Sequence, residues 1–226
     1  MFKRSLQIFV RKGYLLIISI FFSHPALSSN INLIIQDQHG VVLPNAIVEI
    51  NQIKSDRQVN GQIVKKLPIA VMDQVNKQFS PELLIVQQGQ SVNFPNSDNI
   101  RHHVYSFSQA KSFQLKLYSG QPKDPINFDT PGVVVLGCNI HDAMVGYIYI
   151  ANSAQVYKSG SNGVVSLPIN TQRVQISVWH ALQTAPLEHK KLIDIDAQAV
   201  LPIIINIASP APRNTFGDQF KGVDEQ

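Results

Sequence analysis

The sequence predicts an all-β protein built as an antiparallel β-sandwich, and three observations carry that reading. Short apolar runs rich in Val, Ile, Phe and Tyr recur along the chain, and these are the residues that pleated strands favour. Pairs containing Gly, Asn or Pro sit between the runs and signal turns. No segment sustains a 3.6-residue apolar period with capping residues at its ends, so at most one helical turn is expected, over 73–78.

The first candidate strands are 31–35 and 46–50, separated by the His39–Gly40 turn and Pro44-Asn45. A turn at Asn60–Gly61 precedes the middle of the chain. There Leu83-Leu84-Ile85-Val86 forms a strand that ends at Gln88–Gly89, and 92–94 is stopped by Pro95. The runs 104–107 and 113–117 alternate apolar and polar residues and close at Ser119–Gly120. Pro131–Gly132 opens 133–136, an unbroken Val-Val-Val-Leu strand, and 145–150 returns alongside it. After Asn162–Gly163 the strands 174–179 and 201–207 follow, and the polar, turn-rich 210–226 reads as a disordered tail.

At 226 residues the chain is long enough for one large domain or two small ones. Charged residues make up 15%, below the roughly 25% of an average soluble chain. The net charge of +4 would ordinarily suggest nucleic acid or an anionic membrane as partner. The N-terminus removes that suggestion. Lys3, Arg4, Arg11 and Lys12 precede the apolar run 14–22, and small residues follow at Ala26 and Ser28. This is the pattern of a secretory signal peptide over 1–28. The run is far short of the roughly 20 residues of a membrane span. Four of the 19 basic residues and none of the 15 acidic ones lie in this leader, so the rest of the chain is formally neutral. A periplasmic location is expected, with no nucleic-acid partner and no stable membrane span once the leader is removed.

One constellation carries chemistry. Cys138-Asn139-Ile140-His141-Asp142-Ala143-Met144 holds a thiol, an imidazole and a thioether at steps of three, between two strands that would form a hairpin. Arg101-His102-His103 opens another strand upstream and offers a second imidazole. A thiolate, two imidazoles and a weak axial thioether form the ligand set of a blue-copper electron-transfer site. Cys138 is the only Cys, so it has no disulfide partner within the chain and no CxxC zinc motif is present. The rival readings are a buried structural Cys, a Cys-His-His zinc site and a Cys-His nucleophilic pair. They fit less well because Met is a poor zinc ligand and no third orienting residue is visible. His39 and His189 read as surface residues, and His180 as structural.

These residues resemble the cupredoxins. The spacing C-x2-H-x2-M is similar to the short ligand loop of amicyanin. The wider runs FPNSDNIRHHVYSFS and PGVVVLGCNIHDAMVGYIYI resemble a group of secreted bacterial plastocyanin-like proteins labelled methylamine utilization proteins. The resemblance implies a Greek-key sandwich over 61–151 that binds one type-1 copper ion through His102, Cys138 and His141, with Met144 on the axis. His103 is the alternative to His102. Aligning Val104 with the Val that follows the family's His-Asn pair favours His102, whereas the shared face of His103, Tyr105 and Phe107 favours His103. The flanks, 31–60 and 152–209, resemble a carboxypeptidase-regulatory-like β-sandwich, into which the copper-binding unit would be inserted. The implied function is single-electron transfer to a redox protein such as a dehydrogenase or cytochrome, without enzymatic turnover. The alternative is a copper-binding or trafficking module.

Overall fold

In the computed structural model, residues 30–51, 67–141, 143–169, 173–196 and 202–208 are described. The leader 1–28, the turn at Asn60–Gly61 and the tail 210–226 lie outside them. The described residues contain seventeen strands and no helix, so the chain is all-β. β1 (Asn30–Gln36) and β2 (Ile47–Asn51) come first. The middle of the chain gives β3 (Ala70–Val71), β4 (Asp73–Val75), β5 (Gln78–Ser80), β6 (Leu83–Gln87) and β7 (Gln90–Asn93). It continues with β8 (His102–Ser108), β9 (Lys111–Tyr118), β10 (Ile126–Phe128), β11 (Gly132–Gly137) and β12 (Val145–Ala151). The last strands are β13 (Val156–Lys158), β14 (Val164–Pro168), β15 (Arg173–Trp179), β16 (Lys191–Asp196) and β17 (Pro202–Ile204).

Strand alternation sorts the apolar side chains into three layers. In the first, the sheet β14-β1-β17 faces the sheet β13-β2-β15-β16. Their shared core holds Leu33, Ile35, Val48, Leu167, Ile176 and Val178. In the second, β10-β7-β3 faces the five-stranded β6-β12-β11-β8-β9, across a core that includes Phe94, Val104, Phe128, Leu136 and Ile148. The third layer joins the two sandwiches back to back. Val133, Tyr149 and Ala151 of the five-stranded sheet meet Ile47 and Trp179 of the four-stranded sheet. β2 and β12 are therefore buried on both faces, which explains their nearly unbroken apolar sequences.

Two expectations are corrected. The sandwiches are not purely antiparallel: β1 and β17, β3 and β7, and β6 and β12 pair in parallel. Connections that cross between facing sheets return these strands to a neighbour in the same direction. Residues 73–78 form no helical turn. They belong to a β-hairpin in which β4 pairs with β5. Asn76 and Lys77 take positive φ values of 54° and 60°, as a two-residue type I′ turn demands.

Candidate metal centre

The centre forms where β11 ends. Val133, Val134 and Leu136 are buried and anchor β11 between β8 and β12, so Cys138 emerges from a strand held on both sides. The chain then reverses within a few residues. The amide of Met144 donates to the His141 carbonyl at 2.9 Å, and that of Val145 to the Ala143 carbonyl at 3.2 Å. Asp142 lies outside the described residues. β8 supplies His102 from the same sheet.

Cys138 Sγ lies 3.8 Å from His102 Nδ1 and 3.8 Å from His141 Nδ1. The two imidazole centroids are 5.0 Å apart with planes inclined at 55°. The thiol and one nitrogen from each ring all lie within 4.8 Å of one another. Metal bonds of about 2.0 Å to nitrogen and 2.3 Å to sulfur would put sulfur and nitrogen about 3.7 Å apart at a trigonal angle, and about 3.5 Å apart at a tetrahedral one. The observed sulfur–nitrogen separations are of this size, so the three donors fit a metal held by one thiol and two imidazoles. Met144 is buried in the same apolar cluster as Cys138. His102 and Cys138 are buried while His141 is half-buried, so the open edge of the centre is at His141. Ile140 and Val145 lie exposed beside it in the chain.

His102 and His103 take opposite faces of β8. His102, Val104 and Ser106 point inward. His103 is half-buried on the other face, where its Nε2 lies 2.8 Å from Gln114 Nε2 and its ring centre lies 5.7 Å from that of Tyr105, inclined at 54°. The shared face of His103, Tyr105 and Phe107, by which alternation favoured His103, is an external row of mutually inclined rings. Its last member, Phe107, is 83% exposed.

Sequence reasoning missed Asp98. Its Oδ2 sits 2.7 Å from His102 Nε2. The same carboxylate accepts the backbone amides of Asn76 at 2.7 Å and Lys77 at 2.9 Å. Partial burial opposes its charge, but these hydrogen bonds prevail and hold the carboxyl below its ordinary range. The only sequence signal was an Asp four residues before the His in an irregular segment. Asn96 braces that segment by donating to the carbonyls of Ile100 and Tyr118, both at 2.9 Å. Tyr118 donates to the Phe94 carbonyl at 2.6 Å. Burial pushes its hydroxyl up to about 12, so it stays a neutral donor.

The other described histidines, His39, His180 and His189, are elsewhere. His180 is buried, with Nε2 against the Pro44 carbonyl at 3.0 Å, and burial lowers its pKa. His39 and His189 are exposed.

No protein-family model matches the chain, and no curated protein matches it. Solved structures with partial likeness include a Cu-containing nitrite reductase from Thermus scotoductus, at 24% identity and a TM-score of 0.36. That match covers 42% of this chain and 25% of the reductase, so the chain spans about a quarter of that enzyme. A reduced Cu(I) form of an amicyanin mutant matches at 16% identity and a TM-score of 0.33, covering 38% of this chain and 86% of the amicyanin. A purple cupredoxin from Nitrosopumilus maritimus matches at 21% identity and a TM-score of 0.33, covering 36% and 99% respectively. Likeness at this level leaves the chemistry to be argued from the donors themselves.

Proposed function

We propose that this chain is a mononuclear type-1 copper protein that carries single electrons between redox proteins, with no substrate turnover of its own. His102, Cys138 and His141 would hold the ion, and Met144, buried in the same cluster as Cys138, would offer a weak fourth donor. The observation that carries the reading is the pair of 3.8 Å separations between one thiol and two imidazole nitrogens, with two of the three side chains buried. Bound copper would supply a one-electron couple. The protein's part is to keep the donors still and dry. Cys138 is fixed by the end of β11, His102 by β8 and Asp98, and His141 by the tight turn back into β12. His141 is the half-exposed donor, so a redox partner such as a dehydrogenase or cytochrome would exchange electrons at its edge. The resemblance to methylamine utilization proteins suggests, by analogy, a partner in amine oxidation.

Residues 61–151 are the copper-bearing unit in this reading, and 31–60 with 152–209 make the second sandwich. The leader 1–28 sends the protein to the periplasm, where a lone thiol survives as a ligand.

The test is an optical and EPR spectrum of the copper-loaded protein. An intense visible thiolate-to-copper charge-transfer band is expected, and Cys138→Ser should abolish it. A colourless copper-loaded wild type would overturn the type-1 assignment. A reversible voltammetric wave is expected of an electron carrier. Rapid copper exchange without such a wave would favour copper trafficking instead.

A further inference from the structure

We infer that Asp98 is the positioning residue of the centre: its carboxylate locks His102 in the Nε2–H tautomer and thereby aims the Nδ1 lone pair at the space beside Cys138. The inference rests on the copper reading above and adds a residue that the ligand motif does not contain. His102 is fully buried, so its Nε2 depends on a protein partner, and Asp98 Oδ2 lies 2.7 Å from it. A carboxylate only accepts hydrogen bonds. The opposite tautomer would turn the Nε2 lone pair onto an anion and place an Nδ1 hydrogen where a metal must bind. Both costs fall inside a buried site, where an unmatched polar pair is penalised most heavily.

The carboxylate is itself held in place. Its oxygens receive the amides of Asn76 and Lys77 at the tip of the β4–β5 hairpin, and its own amide donates to Asn96 Oδ1 at 3.1 Å. Asp98 thus ties the ligand imidazole to a turn that belongs to neither ligand strand. Such outer partners orient metal-ligating imidazoles and raise their donor strength. With copper bound, the negative charge next to the ring would favour Cu(II) over Cu(I) and so lower the reduction potential.

The decisive measurement is a long-range proton–nitrogen correlation on metal-free protein carrying 15N-histidine, at mildly alkaline pH. Wild type is expected to show His102 as the Nε2–H tautomer, and Asp98→Ala to show a mixture of tautomers. Copper affinity should fall by about 10- to 100-fold in Asp98→Ala. The near-isosteric Asp98→Asn should raise the reduction potential while keeping the wild-type fold by circular dichroism. An Nδ1–H tautomer in wild type would overturn the inference. So would an Asp98→Ala protein that is folded and has unchanged tautomer, affinity and potential. The tautomer readout needs no metal, so a wild type that fails to bind copper would overturn the function proposed above while the spectrum still decided the role of Asp98.

Discussion

Gly137 shows how closely the residue beside the thiol is fitted. It pairs across the sheet with Tyr105, whose ring lies over it. A Cβ at this position would come within 2.8 Å of Tyr105 Cζ and Oη, closer than real side-chain atoms approach. Gly137→Ala is therefore expected to destabilise the fold by about 1–3 kcal/mol through overpacking. Combining it with Tyr105→Ala should remove most of that penalty, which a double-mutant cycle by chemical denaturation would read. The residues around the thiol were unequally legible in the sequence. Cys138, His141 and Met144 stand out because their spacing is local. The choice between His102 and His103 was a two-way question in sequence, since both faces of β8 carry apolar or aromatic residues, and burial separates them. Asp98 had no readable pattern because its contact with His102 depends on an irregular loop, which has no period to reveal a face.

At the scale of elements, strands with continuous or alternating apolar runs were readable, and β13, β14 and β16 were not. β1, β2, β6, β8, β11, β12 and β15 coincide with apolar runs, since burial demands them. β13, β14 and β16 lie at sheet edges and carry polar or exposed residues, so their pattern merges with that of loops. The β4–β5 hairpin was hidden for another reason. Its turn is Asn76-Lys77, lacking the Asn-Gly pair by which such turns are recognised. Lys77 holds φ at 60°, a conformation costing a side-chain-bearing residue about 1 kcal/mol. Lys77→Gly is expected to raise stability by up to about 1 kcal/mol, measurable as a higher thermal midpoint. The amide that Lys77 gives to Asp98 is unaffected by the change.

At the scale of the whole molecule, one carboxylate fastens the two sandwiches. Glu49 of β2 is buried. It accepts hydrogen bonds from Tyr149 Oη of β12 and Lys190 Nζ at 2.7 and 2.9 Å, and from the amides of Asn152 and Ser153 at 2.7 Å. Lys190 also lies 4.2 Å above the Tyr149 ring. Burial works to raise the Glu49 carboxyl, but Lys190, Tyr149 and Ser153 together outweigh it and hold the group below its ordinary value. The folded state therefore binds fewer protons than the unfolded chain in mild acid. The stabilisation is complete above the ordinary carboxylate range and is lost as pH falls through the lowered folded value. Thermal unfolding should drop steeply below about pH 4, and Glu49→Gln should flatten that slope. Lys190→Met leaves a buried charge without its partner and should cost about 3 kcal/mol, read by urea denaturation at neutral pH.

The pairing of β1 with β14 and β17, and of β2 with β13 and β15, has a consequence for the order of assembly. Among the described residues, every strand that pairs with β1 or β2 comes after residue 151 in the chain. As the polypeptide emerges, 70–151 can close its own sandwich while β1 and β2 wait with their apolar faces uncovered. Loop closure over so long a span is slow. Trp179, the single tryptophan, sits fully buried in the seam between the sandwiches. Its fluorescence should therefore change late in refolding, after the inner sandwich has formed. Until β14 and β17 arrive, both edges of β1 are open to pairing with another chain, so refolding yield should fall as protein concentration rises.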